Sequence, residues 1–213
     1  ILETHAHADH VSGSQVLKQY FPQAQVGIGA HITQVQSVFK KVFNLHPNFK
    51  IDGTQFDLLL KEGTTYTAGS IQIQVLHTPG HTPACSSYII NDMVFVGDAL
   101  FMPDYGTGRC DFPSGSAEDL YNSICKLYEL PDQTKVYTGH DYMPNGRPLQ
   151  FQSTILEEKQ KNIQLKANTT KEEFVKFRTD RDAVLSAPRL LLPSVQININ
   201  AGHLPEPENN NAR

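Results

Sequence analysis

Apolar residues at Ile32, Val35, Phe39 and Val42 recur at three- and four-residue intervals, the spacing of one helix face, and predict an amphipathic helix. Ser14 to Tyr20 predicts a shorter helix, stopped by Pro22, and Ala24 to Ile28 reads as a strand between the two. After residue 50 the period shortens. Thr54 to Leu60 and Thr64 to Ala68 predict short strands of a β-meander, and Ile71-Gln72-Ile73-Gln74-Val75 alternates as a strand with one buried face does. Ser86 to Ile90 and Met93 to Gly97 are apolar runs joined by Asn91-Asp92, which predicts a hairpin. Ser116 is a candidate N-cap, Glu118 and Asp119 favour the first turn behind it, and Leu120, Ile124 and Leu127 form the stripe that helix buries. Pro131 ends it, and Lys135 to Gly139 is a further strand. Thr154-x-x-Glu157 and Thr170-x-x-Glu173 have the form of capping boxes for two late helices. No internal repeat is present. The sum is an α/β chain with strands in two layers and helices outside, an αββα sandwich.

Four candidate metal ligands fall within one short stretch, His5-Ala6-His7-Ala8-Asp9-His10, directly after Ile1-Leu2. In an extended segment side chains alternate, so residues 5, 7 and 9 lean to one side, and His10 follows where the chain turns towards a helix. Imidazoles with a carboxylate suit zinc, iron or manganese rather than calcium. Three more candidates end apolar strands. His81 lies in His77-Thr78-Pro79-Gly80-His81-Thr82, Asp98 follows Met93 to Gly97, and His140 follows Lys135 to Gly139. Ligands at strand ends converge on one rim while the strands hold them rigidly.

This set resembles the metallo-β-lactamase superfamily: H-x-H-x-D-H at residues 5–10, Gly80-His81-Thr82, Gly97-Asp98 and Gly139-His140, over roughly residues 1 to 145. The resemblance implies the αββα fold with its first strands missing before Ile1, and does not by itself name a reaction. Gly97-Asp98-Ala99-Leu100-Phe101, Gly108-Arg109-Cys110-Asp111-Phe112 and His140-Asp141-Tyr142 are similar to the persulfide dioxygenases. The Arg181-Asp182, Pro188-Arg189-Leu190, Leu192-Pro193-Ser194 and Ala201-to-Pro205 segments resemble a bacterial subgroup of them. That resemblance implies one Fe(II) per chain held by His5, His81 and Asp98, with zinc as a substitute. Two histidines and a carboxylate make the facial triad of non-haem iron oxygenases. His7, Asp9, His10 and His140 would then orient the triad or form a second site, in which case His5, His7 and His81 hold one ion, Asp9, His10 and His140 the other, and Asp98 bridges. The residue types leave one ion or two open. The implied reaction is oxidation of glutathione persulfide, or a similar small thiol persulfide, by O2 to sulfite.

Arg109, Tyr142 and Arg147 are the candidate substrate contacts. Arg109 suits a carboxylate of the thiol carrier, though a salt bridge to Asp111 is the alternative. Tyr142 suits a hydrogen bond into the site, and Arg147, in a Pro-Asn-Gly loop, suits the carrier's glycyl end. His31, His46 and His203 read as surface or helix-terminal, His77 as structural, Cys125 as core, and Cys110 as site-lining or packing.

Composition trims the alternatives. The 213 residues fit one domain, taken as a catalytic domain over 1–204 with a flexible tail over 205–213. A net charge of −4 offers no basic face for nucleic acid, which argues against nucleases. No run approaches the ~20 apolar residues of a membrane span. Three cysteines without C-x-x-C spacing suit a reducing compartment, and the expected location is a bacterial-type cytoplasm. Assembly as a homodimer stays open. Two rival functions remain: a dinuclear thioesterase of glyoxalase II type, whose recognition domain is not evident, and a non-catalytic sensing module, which would be expected to have lost ligands.

Overall fold

A computed structural model describes residues 1–205 and residue 207. Its backbone is built from two sheets. The first is wholly parallel, in the order β1 (Leu2–Glu3), β2 (Gly27–Gly29), β3 (Leu58–Leu60). Its strands alternate with α1 (Ser14–Tyr20) and α2 (Ile32–Val42), as parallel pairing demands of its crossovers. The second sheet runs β4 (Thr65–Ala68), β5 (Ile71–His77), β6 (Ser86–Ile90), β7 (Met93–Gly97), β8 (Lys135–Thr138), β9 (Gln152–Thr154). It is antiparallel except between β7 and β8, where the connection carries α3 (Ala117–Tyr128) across the outer face. α4 (Ile155–Lys161), α5 (Lys171–Asp182) and α6 (Leu191–Asn198) complete the chain.

Three apolar clusters separate four layers. Ile28, Ile32, Val35 and Phe39 pack with Val195 and Ile199 between the parallel sheet and its helices α2 and α6. Leu60, Ile73, Val75 and Tyr88 fill the space between the sheets. Val94, Val96 and Val136 pack under Leu120, Ile124, Leu127, Ile155 and Phe174 of α3, α4 and α5. The expected stripe of α3 is fully buried, each such side chain contributing about 1.5–3 kcal/mol. The Ser116 hydroxyl accepts from the Asp119 amide as the cap. Thr170 makes both bonds of its capping box; Thr154 caps the Glu157 amide.

Two strand starts and one buried position differ from the sequence pattern, each for a local reason. The strand predicted over 54–60 begins at Leu58, because Asp52 accepts from the Thr54 amide and hydroxyl and holds a turn through Gly53 at φ +78°. The strand predicted from Ala24 begins at Gly27, because the Val26 amide donates to the Asp57 carboxylate instead of a neighbouring strand. Val42 is exposed, and α2 buries Gln36 in its stead, whose amide bonds Gln55, Gly53 and the Ile199 carbonyl. Helix α6, with a proline in its first turn, gave no periodic signal. Of the tail expected to fray from Pro205, residues 206 and 208–213 lie outside the described residues. No helix of the described residues is long and apolar enough to cross a membrane.

Glu158 on α4 is fully buried, accepting from Ser153 Oγ at 2.5 Å and Asn162 Nδ2 at 2.9 Å. Burial pushes its carboxyl from about 4.5 up to about 7. The native state therefore binds more protons than the unfolded chain between those values, and this group's stabilisation falls as pH rises through 7. Relative to Glu158→Gln, the wild-type melting temperature is expected to be highest near pH 5 and to drop by pH 8. A difference that stays flat across thermal melts at pH 5, 6, 7 and 8 rules this out.

Candidate metal centre

Strand β1 ends at Glu3, and the chain then runs along the rim of both sheets. The Glu3 carboxylate accepts from the Ser12 and Ser14 hydroxyls, and the Ser86 amide donates to Thr4 O at 2.9 Å. Ala6 and Ala8 pack into the core beneath α2 and α6, which turns His5 and His7 the other way. Asn198, the last residue of α6, staples the loop: its Nδ2 donates to His7 O at 2.9 Å and His10 O at 2.8 Å, and its Oδ1 accepts from the Ser12 amide at 2.8 Å.

The other candidate ligands follow β5, β7 and β8. Ser116 N donates to Gly80 O and Ser123 Oγ to Pro79 O, so the His81 loop rests on the start of α3. A register shift between Phe95 and Gly97, with Gly97 at φ +54°, turns Asp98 inward at the end of β7. Gly139 donates to Gly97 O at 3.1 Å and brings His140 alongside.

Six of the seven predicted residues meet in two groups. The candidate ligand atoms of His5, His81 and Asp98 lie within 4.8 Å of one another and are buried, as do those of Asp9, His10 and His140 on the solvent side. Asp98 Oδ2 lies 3.7 Å from His5 Nε2, 3.6 Å from His81 Nε2 and 3.6 Å from His140 Nε2, so it faces both groups. His7 belongs to neither group: its Nδ1 lies 3.3 Å from Asp9 Oδ1 and its ring packs on His81 and Phe112.

The two groups differ in how well they are satisfied. Asp9 bonds His10 Nδ1 at 3.1 Å and His7 Nδ1, and lies 3.4 Å from His140 Nε2. Burial works to raise the Asp9 carboxyl, but hydrogen bonds from His10, His140 and His7 outweigh it and hold it far below the carboxylate range. By contrast His5 Nε2, His81 Nε2 and Asp98 Oδ1 are buried with no hydrogen-bond partner, three of the four such side-chain atoms among the described residues. Leaving a buried polar atom unpaired costs about 1–3 kcal/mol. The His81 Nδ1–H donates to the Arg109 carbonyl at 2.6 Å, which leaves the Nε2 lone pair pointing inward. Burial, and then His7, lowers His81 to about 4, and burial with neighbouring histidines lowers His5 well below its ordinary value, so both are neutral. Burial raises Asp98. Two neutral, unpaired imidazole nitrogens, each 3.6–3.7 Å from Asp98 Oδ2, have the chemistry of a divalent metal ion's donor set, and His5, His81 and Asp98 are the residues that would hold it.

A cavity of about 220 Å³ opens above this centre. Phe101, Tyr105 and Tyr142 form an aromatic wall, with Tyr105 stacked on Tyr142 at 4.3 Å. Of the predicted substrate contacts, Arg109 and Tyr142 line the cavity. Arg109 is held by Asp111, bidentate at 2.5 Å for both bonds, the alternative foreseen for it. Arg147 lies elsewhere. It is not among the cavity residues but forks between Asp104 and Asp141, with Nη2 2.8 and 2.7 Å from the two carboxylates, and clamps the loop after His140. Cys110 is buried against Ala99 and Leu100 in the core and does not line the cavity, Cys85 is buried with its thiol pushed up to about 12, and Cys125 is only partly buried. His31 stacks on His77 at 4.0 Å, and His46 and His203 are exposed.

Pattern reading missed four residues that shape the site: Asn198, Gln164, Arg178 and Arg181. The last three line the cavity. Arg178 and Asp182 stand four apart on α5, an opposite-charge spacing visible in the sequence, with Arg181 one residue before Asp182.

The profile of the metallo-beta-lactamase superfamily matches residues 1–140. The chain is 54% identical to "Glyoxylase B2" of Dictyostelium discoideum, over 99% of this chain and 72% of that protein. It is 50% identical to a "Probable metallo-hydrolase" of Burkholderia pseudomallei, over 100% and 76%. It is 32% identical to "Persulfide dioxygenase ETHE1, mitochondrial" of Homo sapiens, over 94% and 68%. The crystal structure of ETHE1 from Myxococcus xanthus superposes with a TM-score of 0.74 at 34% identity, over 95% of this chain and 76% of that one.

Gly108 touches the centre from outside. A Cβ there would lie 2.1 Å from the Asp98 carbonyl oxygen and 3.2 Å from His81 Nδ1. Gly108→Ala is expected to lower metal affinity at least about tenfold. Gly13→Ala, where a Cβ meets nothing within 4 Å, is the control and should leave metal content unchanged. Metal analysis of both proteins after identical purification checks this, and a full complement of tightly bound metal in Gly108→Ala counts against it.

Proposed function

The chain belongs to the metallo-beta-lactamase superfamily, and from that premise we propose that residues 1–204 act as a persulfide dioxygenase on glutathione persulfide or a similar small persulfide. The balanced reaction is RSSH + O2 + H2O giving RSH, sulfite and two protons. The observation that carries the reading is the contrast between the two groups of ligands. His5, His81 and Asp98 are buried with unpaired donor atoms, whereas Asp9, His10 and His140 already satisfy one another. That contrast favours one ion held by the buried triad. Fe(II) is our assignment for it, supported by the relatives named persulfide dioxygenase, and when bound it supplies the redox chemistry that joins O2 to sulfur.

The remaining residues supply position and shielding. Arg181 is the exposed arginine of the cavity and Arg109 the half-buried one, so Arg181 is the freer to pair with a carboxylate of the thiol carrier. Phe101, Tyr105 and Tyr142 give the carrier an apolar wall and exclude water from the sulfur. Asp9, bonded by His7 and His10, holds His140 beside Asp98 and fixes the carboxylate's outer edge.

One observation favours a second reading, a dinuclear thioesterase: Asp98 Oδ2 faces both groups at 3.6–3.7 Å, as a bridging ligand would. The relatives named glyoxylase and metallo-hydrolase accord with it. One anaerobically prepared, iron-loaded sample separates the two. Oxygen uptake with glutathione persulfide and little hydrolysis of S-lactoylglutathione is the expected result, with one iron per chain. Rapid thioester hydrolysis without oxygen uptake, and two metal ions per chain, would replace this assignment.

Asp98→Ala is expected to abolish metal binding and activity together. His10→Ala is expected to retain the metal with a loss of about 10–100-fold in activity. Equal and complete loss at both positions, measured by metal analysis and oxygen electrode, speaks for the dinuclear site. Arg181→Ala is expected to raise KM for the persulfide about tenfold or more with little change in kcat, since a charged hydrogen bond contributes about 1.5–3 kcal/mol. An unchanged KM removes Arg181 from the substrate's contacts.

A further inference from the structure

A buried ion pair outside the metal centre has no evident reason to exist for stability. Arg178 and Asp182 of α5 are 2% and 8% exposed. Buried ion pairs are often no more stabilising than apolar residues of the same volume, so their retention calls for another role. We propose that Arg178 and Asp182 are positioning residues for His81 and Asp98, acting through the backbone of residues 107–110. The proposal rests on the reading of His5, His81 and Asp98 as a metal triad.

The contacts form a continuous path. Arg178 donates to Asp182 Oδ1 from Nε at 3.1 Å and from Nη2 at 2.6 Å. Asp182 Oδ2 accepts from the Cys110 amide at 2.8 Å, which pins one end of the segment. Arg178 Nη1 donates to Thr107 O at 3.3 Å and Gln164 Oε1 at 3.1 Å, and Gln164 Oε1 accepts from the Thr107 hydroxyl at 2.9 Å, which pins the other. Between the two pins the same backbone meets both ligands. The Arg109 carbonyl accepts from His81 Nδ1, and Gly108 lies so close to the Asp98 carbonyl that a Cβ would sit 2.1 Å from it. A shift of the segment moves the carbonyl that fixes the His81 tautomer. It also opens the space that holds Asp98. Residues 107–110 belong to neither sheet, and the bridge of Thr107 with Leu100 is isolated.

The test compares wild type with Arg178→Met/Asp182→Leu, which removes both charges and keeps the volume, and with Arg178→Lys, which keeps the charge but not the fork. Three quantities are read: zinc affinity by competition with a chromophoric chelator, the His81 tautomer of the metal-free protein by 15N-histidine NMR, and kcat and KM with the persulfide. The double variant is expected to bind zinc about 10–100-fold more weakly, to populate the His81 tautomer protonated at Nε2, and to lose kcat more than it gains KM. Arg178→Lys is expected to do the same to a smaller degree. Wild-type zinc affinity and an unchanged tautomer in a folded variant overturn the proposal, and so does a change in KM alone, which would mean that Arg178 meets the substrate. If the double variant does not fold, Arg178→Lys decides by the same readouts. If wild type binds no zinc, the metal reading fails, and the tautomer of the metal-free protein still decides whether the pair positions His81.

Discussion

The Asp98 carboxylate is the constraint to which the rest of the molecule is fitted. It must leave water, approach three imidazoles, and remain free to bind something other than protein. Space for it is made by subtraction. Gly97 supplies the left-handed turn that aims it, a Cβ on Gly139 would stand 2.7 Å from its Oδ1, and a Cβ on Gly108 would meet its backbone carbonyl. These three glycines come from the ends of two strands and from the loop after β7. The six-stranded sheet is thus ordered so that β7 and β8 lie side by side and parallel, with both carboxyl ends at the same rim. An antiparallel pairing of those two strands would carry His140 to the opposite edge.

The same arrangement explains why the site divides into a buried half and an exposed half. His5 and His81 approach Asp98 as buried side chains, with Ala6 and Ala8 packed in the core beneath and the His81 loop resting on α3. Asp9, His10 and His140 approach from the solvent side, where Asp9 bonds His10 and lies 3.4 Å from His140. The donor atoms that lack partners are therefore those with the most to gain from a cation. Around them the protein invests in backbone control: Asn198 holds the loop of residues 7–12, and Arg109 O holds His81.

Much of this was legible in the sequence, and the legible part has a common character. Helices α2 and α3 declare themselves by period, the β6–β7 hairpin by Asn91-Asp92, and the seven ligand candidates by their places at strand ends. These are local signals. What escaped depends on contacts between distant residues. Gln36 occupies a core position that a periodic reading assigns to an apolar residue, because its amide happens to meet three partners. Arg147 sits in a Pro-Asn-Gly segment that reads as mobile, yet Asp104, 43 residues away, and Asp141 grip it. Helix α6 carries a proline and no stripe, and it forms because Val195 and Ile199 complete a core begun by Val26 and Ile28. No pattern within α6 records that it also ends on the amide that anchors the first ligands.

That anchor joins residues 191 positions apart. A contact of such length closes late, since the chain between must first be ordered. The loop bearing His5, His7, Asp9 and His10 leaves the ribosome well ahead of Asn198, and spends that interval without the bonds that shape it. A cation at the candidate centre would therefore be taken up at the end of folding rather than its beginning, by a site already built, and its identity would depend on what the cell holds in free supply at that moment.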